Sequence, residues 1–400
     1  MMNIKSFPKL ILRDGKDAPL KRFHPWIYSG AVDYIEGGEP QEGDVVEVHN
    51  SFGDFMGLGH FQNNTVAVKI FAFEPFVPDY EFWKERILSA YQLRERLGLT
   101  NSLQTNAYRL VSGEADLLPG LKIDYFNGTI VFQASSLGMY NLRHDFTEIL
   151  KELYGDRLFA IYDKSGEFLY KNTGISTRDS FLYGEDGPDI ITENGAKFYV
   201  DYKLGQNTGY FLDHRNFRKI FAQYCKNKRV LDTFAYTGSY TINALKAGAK
   251  LVHSIDCSQI SIEQIKKNVM LNDLQDAAQE SFNTDSRKYM VGMPEDMYDV
   301  IVIDPPQFAK TPSLKGNAIK SYKKLNNLAL KKIKKGGMLF TFSASTIIET
   351  SLFKSILFNA ALDTNRKISI VHHFCQQEDH PINLYHPEGE YLKGLALYVE

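Results

Sequence analysis

The sequence predicts a multidomain α/β chain with three parts: a small all-β module, an α+β middle domain and a C-terminal doubly wound sheet. Three observations carry this expectation. At 400 residues the chain is longer than one compact core usually holds, so two or three domains are expected. Its first seventy residues read as short β-rich runs broken by turns. From about Gly187 onward, apolar strands alternate with amphipathic helices, the pattern of a parallel sheet covered on both faces. With 44% hydrophobic, 24% charged and 13% aromatic residues, the composition is that of a folded protein and not of a disordered one.

Taken in order, Leu10–Arg13, Val45–His49, Phe55–Phe61 and Thr65–Phe73 are the strands expected in the β module. Turns at Arg13 to Gly15, Glu36 to Gly38 and Asn63-Asn64 separate them. The module ends near residue 74, because Pro75 and Pro78 mark a linker. From Asp79 to Leu99 the spacing predicts a helix, with Phe82, Ile87, Leu88, Tyr91 and Leu97 on its apolar face. The charged residues, Arg94 among them, fill the other face. Residues 79–186 then form the middle domain, with strands at Gly128–Ser135 and Phe159–Asp163 and a helix from Tyr140 to Tyr154. The last domain spans 187–400. It opens with a hairpin at Ala196–Tyr202 and Gly205, then a helix over Asp213–Tyr224. Strands are expected at Arg229–Asp232, Leu251–Asp256, Asp299–Asp304 and Gly337–Phe342, with helices at Tyr240–Ala247, Ile260–Leu271 and Lys320–Ile333. The lysine run 331–335 is a solvated helix end.

These features also exclude function classes. No apolar run approaches the roughly 20 residues that span a bilayer, and residues 1–15 lack a signal-peptide core, so a cytoplasmic protein is expected. The three cysteines, Cys225, Cys257 and Cys375, are too few and too scattered for a disulfide framework or a cysteine zinc site. No metal is expected. A net charge of −2 rules out binding of nucleic acid by bulk charge while leaving room for a local basic groove.

The chemistry concentrates in the last domain. Arg229 to Ser239 is an apolar strand ending in Asp232, a loop with one glycine, Gly238, and then a helix. Ligands of open α/β sheets bind at such carboxyl ends. The loop lacks the glycines of a dinucleotide site and the Gly-Lys-Ser/Thr of a P-loop. Asp256, about twenty residues on, ends the next strand, where an acid accepts ribose hydroxyls. Asp285 and Ser286 stand where an adenine edge would lie. Each acid alone has an ordinary reading as a turn or cap residue; three in successive βα units point to adenosine without phosphate, as in S-adenosylmethionine. Asp304, Pro305 and Pro306 then follow four apolar residues, a rigid turn suited to gripping a planar base.

In these and further motifs the chain resembles the bacterial 23S ribosomal RNA methyltransferases that join an N-terminal PUA domain, a small middle domain and a C-terminal Rossmann-like class I methyltransferase domain. The best-known members make 5-methylcytosine. The resemblance rests on Phe23 to Ala31, Arg109 to Leu121, Lys203 to Arg215, Asp304 to Lys310 and His380 to Gly394, in that order along essentially the whole chain. It implies an S-adenosylmethionine-dependent RNA-binding enzyme of ribosomal RNA processing. The donor would be held by Phe211, Asp232, Phe234, Ala235, Tyr236, Gly238, Asp256, Cys257, Ser258, Asp285, Ser286 and Asp304. Asp304, Pro305 and Pro306 would work at the acceptor base. Lys21, Arg22, Arg215 and Lys310 are the candidate RNA contacts, with His24 and Trp26 beside the first two. Asp213 has the alternative of pairing with Arg215, and His380 and Glu388 of shaping a base pocket. A homodimer is compatible with the resemblance, and no exposed patch in the sequence identifies its face.

One position departs from the cytosine-modifying pattern. Where those members carry a cysteine between two serines, this chain has Ser343, Ala344 and Ser345. Carbon 5 of cytosine becomes nucleophilic only after a thiolate adds to carbon 6, whereas guanine N7 already has an in-plane lone pair and needs only positioning. Cysteine-free relatives of this architecture are associated with guanine N7 methylation, so that product is expected. The alternatives are cytosine chemistry through Cys375, an RNA-binding assembly factor without turnover, and a small-molecule methyltransferase, which would have no use for the β module.

Overall fold

The computed structural model describes residues 7–400. Its contacts gather into two units. The first holds the described residues through Asp189 with Val200–Leu212 and Glu378–Gly389, and the second holds Ile190–Tyr199, Asp213–Gln377 and Glu390–Glu400. The last domain expected from sequence, 187–400, is therefore shared between the two.

The first unit opens with β1 (Lys9–Leu12), β2 (Trp26–Tyr28), β3 (Val32–Glu36), β4 (Val45–His49), β5 (Phe55–Phe61) and β6 (Val66–Ala72). They form one sheet in the order β2-β6-β5-β4-β1-β3, with only β1 and β4 parallel. Leu10, Leu12, Ile27, Val46, Val48, Val68 and Ile70 fill its core. The sequence reading lacks β2 and β3 because β2 is three residues long and β3 buries none of its residues fully.

Helix α1 (Tyr80–Arg96) starts where Asp79 accepts a hydrogen bond from the Phe82 N–H, a normal side-chain cap. Its buried face is Trp83, Ile87, Ala90 and Arg94, which corrects the face read from sequence. Leu97 is exposed, whereas Arg94 is completely buried in a two-point pair with Asp116. Next come β7 (Ala107–Ser112), β8 (Leu121–Phe126), β9 (Thr129–Ala134), α2 (Leu137–Asn141), α3 (Arg143–Tyr154), β10 (Ala160–Asp163), α4 (Gly166–Thr173) and β11 (Ser180–Tyr183). The strands pair in the order β11-β10-β9-β8-β7. This is the α+β region expected, with two helices, α2 and α4, too short for a periodicity to show.

The second unit opens on a hairpin of β12 (Ile190–Glu193) and β13 (Ala196–Tyr199). Asn194 and Gly195 both take left-handed backbone angles in its turn, the Asn-Gly chemistry of a two-residue hairpin. The sequence reading set this hairpin a few residues late. Glu193 receives both arms of Arg218 at 2.6 and 2.7 Å, tying the hairpin to α5 (Arg215–Ala222).

The large sheet follows: β14 (Arg229–Thr233), α6 (Ser239–Lys246), β15 (Leu251–Asp256), α7 (Gln259–Leu271), β16 (Gln279–Asn283), α8 (Ser286–Gly292), β17 (Val300–Ile303) and α9 (Lys315–Lys332), then β18 (Gly337–Ser343), α10 (Thr350–Leu362), β19 (Ile368–Cys375) and β20 (Lys393–Val399). Strand order is β16-β15-β14-β17-β18-β20-β19. The first five strands are parallel, and the central β17, Val300 to Ile303, is wholly apolar and buried on both faces. β20 runs antiparallel to both neighbours, which corrects the fully parallel sheet read from sequence. The chain leaves β14 for β15 on one side and returns to β17 on the other. That reversal opens a crevice at the carboxyl ends of β14 and β17.

Candidate active site

The crevice is built from strand ends of the second unit. After β14 the backbone turns through Phe234 and Tyr236, both at positive φ, and Gly238 at +74°. Left-handed aromatic residues are strained conformations that persist where the surroundings enforce them, commonly at ligand sites. A Cβ on Gly238 would meet Ile265 of α7 at 2.9 Å, so the loop packs too tightly there for any side chain. Ser286 Oγ accepts the Phe234 N–H at 3.3 Å, fixing the loop against the start of α8.

Asp256 lies half-buried at the end of β15. Its carboxylate accepts the Tyr236 N–H at 2.9 Å and the Ser258 N–H at 2.8 Å, so it spans the two loops that line the crevice. Cys257 beside it is exposed, and Ser258 caps α7. Asp285 caps α8 through the Lys288 N–H at 2.9 Å and remains exposed. Asp232 has a different duty from the one expected. It is 1% exposed, and one carboxylate oxygen takes both the N–H and the hydroxyl of Thr241 at 3.0 and 2.7 Å. It locks α6 onto β14 and presents almost no surface to the crevice. Burial pushes its pKa up to about 7, against the Thr241 hydrogen bonds, which lower it.

Asp304 follows β17 with 32% of its side chain exposed and Oδ2 3.7 Å from His214 Nδ1. Burial raises its pKa, and the neighbouring His214 pulls it back. His214 in turn lies 2.9 Å from the Tyr240 hydroxyl. Its ring rests on Phe217 and Phe342, with centroids at 5.1 and 4.9 Å. Phe342 reaches that position because Gly394 lies opposite it on β20. A Cβ there would stand 2.2 Å from the ring. Sequence reasoning missed His214 as the neighbour of Asp304 and Tyr240 as the partner of His214, since nothing in their spacing signals either contact.

Pro305 is buried and Pro306 exposed. Gln307 donates its side-chain amide to the carbonyl of Ala344, joining the Asp-Pro-Pro turn to the end of β18. Ser345 Oγ donates to Ala309 O at 2.8 Å, and buried Lys393 donates to Ser345 O and Ile348 O at 2.7 and 2.8 Å. Ala344 therefore sits in a loop held at several points. Ser343, Lys393 and Cys375 pair in one row across β18, β20 and β19. Cys375 is thus three strands from β17, roughly 14 Å at the usual strand spacing. Cys225 is buried, its thiol pushed up by desolvation.

Acidic side chains at the ends of β15, β16 and β17 make this edge hostile to phosphates and favourable to hydroxyl donors and cations. That donor set fits an adenosine bearing a sulfonium. A family model described as S-adenosylmethionine-dependent methyltransferase matches residues 178–382, and a PUA-like model matches residues 10–73. "Ribosomal RNA large subunit methyltransferase I" of Photobacterium profundum is 34% identical over 98% of this chain and 99% of its own length. The protein of that name from Tolumonas auensis is 37% identical over 96% and 98%. The chain belongs to this family of S-adenosylmethionine-dependent methyltransferases. A SAM-dependent methyltransferase structure from Streptococcus mutans shares the fold over 98% of this chain and 99% of its own, with TM-score 0.83 and 21% identity.

In this methyltransferase the expected RNA contacts are divided. Lys21 is exposed and pairs with Asp17 at 2.8 Å, and Arg22 and Lys310 are exposed. Arg215 corrects the expectation of a phosphate contact, because only 4% of it is exposed. Trp26 Nε1 donates to Glu114 at 3.0 Å, so the ring is held within the first unit. Phe211 is half-buried and clusters with the first unit. Asp213 accepts the Tyr391 hydroxyl at 2.7 Å, and buried His380 lies 3.0 Å from Asp379. No helix among the described residues is long and apolar enough to cross a membrane.

Proposed function

We propose that this chain transfers a methyl group from S-adenosylmethionine to N7 of a guanine in large-subunit ribosomal RNA. The ribosomal substrate follows from the relatives' names and from the PUA-like module, which suits RNA. The single observation behind the choice of atom is Ala344, which leaves no thiol in the loop after β18. Cys375, the other candidate nucleophile, stands three strands from Asp304, too far to attack a base held there.

S-adenosylmethionine, when bound, supplies a methyl on a positively charged sulfur. The N7 lone pair forms the new N–C bond, the S–C electron pair stays on sulfur, and no proton need leave the ring. The product ring carries a positive charge. Asp304, ionised, opposes that charge and orients the base edge. Asp256 suits the ribose hydroxyls, while the strained loop from Phe234 to Gly238 shapes the floor of the donor pocket. Pro305 and Pro306 keep the turn from reorganising when the base enters. The target base must be unstacked to reach this crevice. Lys21, Arg22 and Lys310 are the surface cations proposed to meet RNA phosphates.

The test is to digest large-subunit ribosomal RNA from cells with and without the gene and quantify methylated nucleosides by mass spectrometry. Loss of 7-methylguanosine is expected. Loss of 5-methylcytidine would overturn the N7 assignment, and no change would favour an RNA-binding factor without turnover.

A further inference from the structure

In the first unit, His24, His386 and Glu388 bring their ligand atoms within 4.8 Å of one another. His24 and Glu388 are 364 positions apart in sequence. His24 follows Phe23, whose left-handed φ of 59° turns the chain just before β2. His386 and Glu388 lie on the Glu378–Gly389 segment that clusters with this unit.

The geometry has the features of a ligand set. Glu388 Oε2 lies 3.3 Å from His24 Nε2 and 3.8 Å from His386 Nε2. Two ligands held at about 2.1 Å around a tetrahedral ion stand roughly 3.4 Å apart, so these side chains need only small adjustments to share one. His386 is 4% exposed, yet its Nε2 has no hydrogen-bond partner. A buried ring nitrogen left unsatisfied is costly, and an ion at this point would satisfy it. His24 Nδ1 lies 3.2 Å from the Trp26 N–H and 3.3 Å from the Trp26 carbonyl, contacts that hold the ring with Nε2 toward Glu388. Glu388 is 44% exposed and provides the route of entry.

We propose that His24, His386 and Glu388 bind one divalent transition-metal ion, with Zn²⁺ the best fit. Two imidazoles and one carboxylate suit a borderline ion and give Ca²⁺ or Mg²⁺ too few oxygens. The ion would clip the Glu378–Gly389 segment to the strand region at His24, and water would complete its coordination. The sequence expects no metal, because the ligands come from opposite ends of the chain and the imidazoles follow no spacing motif.

The full chain, purified without a histidine tag, would be titrated with ZnCl₂ by calorimetry and with Co²⁺ by visible absorption. One equivalent of Zn²⁺ and the intense visible bands of tetrahedral Co²⁺ are expected. Trp26 supplies a local readout, since its ring centroid lies 4.3 Å from that of His386, and Trp83→Phe leaves it the only tryptophan. Co²⁺ should quench it. His386→Gln should abolish binding, and Glu388→Gln should weaken it at least about tenfold. No binding by the full chain, or binding unchanged in these variants, overturns the proposal. Should His386→Gln fail to fold, the exposed Glu388→Gln decides.

Discussion

Asp116→Ala tests how the first unit tolerates a fully buried arginine. Asp116 Oδ1 and Oδ2 take Arg94 Nη1 and Nη2 at 2.5 and 2.8 Å, and Oδ2 also accepts the Ser112 N–H at 2.6 Å. The two side chains are 0% and 4% exposed. Removing the carboxylate leaves a guanidinium held only by carbonyls, those of Arg109 at 2.7 Å, Ala90 at 3.3 Å and Asp379 at 2.8 Å. Carbonyl dipoles do not neutralise a buried charge, so the expected loss is about 3–5 kcal/mol. With a urea slope near 2 kcal/mol/M, the midpoint should fall by roughly 1.5–2.5 M. Trp83, on the same helix as Arg94, reports this unfolding by fluorescence. Adding Arg94→Met should recover part of the loss, because the uncompensated charge goes while three carbonyls lose a donor. A single-variant loss below about 1 kcal/mol, or a double variant no better than the single, would refute the reasoning.

Three further outcomes concern the second unit. Asp304 must be ionised to oppose the product's positive charge, and burial raises its pKa. Activity should therefore fall with decreasing pH while still above the ordinary carboxylate range, and Asp304→Asn should remove that acid limb along with most of the rate; a pH–rate profile of both proteins checks this. Gly394→Ala would set a Cβ against the Phe342 ring, so it should cost about 1–3 kcal/mol and disturb His214, seen as lower stability and lower kcat. Lys393 has its pKa lowered to about 8, chiefly by desolvation. The unfolded chain then binds more protons between pH 8 and the usual lysine value, so stability should rise with pH across that window, and Lys393→Met should abolish the rise in urea midpoints.

The donor crevice was legible because β14, β15 and β17 each carry apolar residues that run into an acid at or next to the carboxyl end, and such endings are local in sequence. Val300 to Asp304 shows both parts within five residues. The role of each acid was less legible. Asp232 and Asp256 read alike on paper, yet one sits beneath a helix sealed by Thr241 while the other bridges two crevice loops. Which of the two a strand-end acid does depends on the pleat and on the helix packed above it. Arg94 fails for the same reason: a helical face chosen by hydrophobicity omits an arginine, although its carboxylate partner lies 22 residues on.

The parts assembled across sequence distance had no sequence signal at all. His214, just before α5, lies 3.7 Å from Asp304, just after β17, and its ring rests on Phe342, for which a glycine of the last strand makes room. The same physics explains Ala344. The loop after β18 is pinned by Gln307, Ser345 and Lys393 in the absence of any thiol, so its rigidity does not depend on the residue a cytosine enzyme would need there. A pocket that keeps its walls but lacks the nucleophile suits an acceptor atom that already owns a lone pair, and guanine N7 is such an atom.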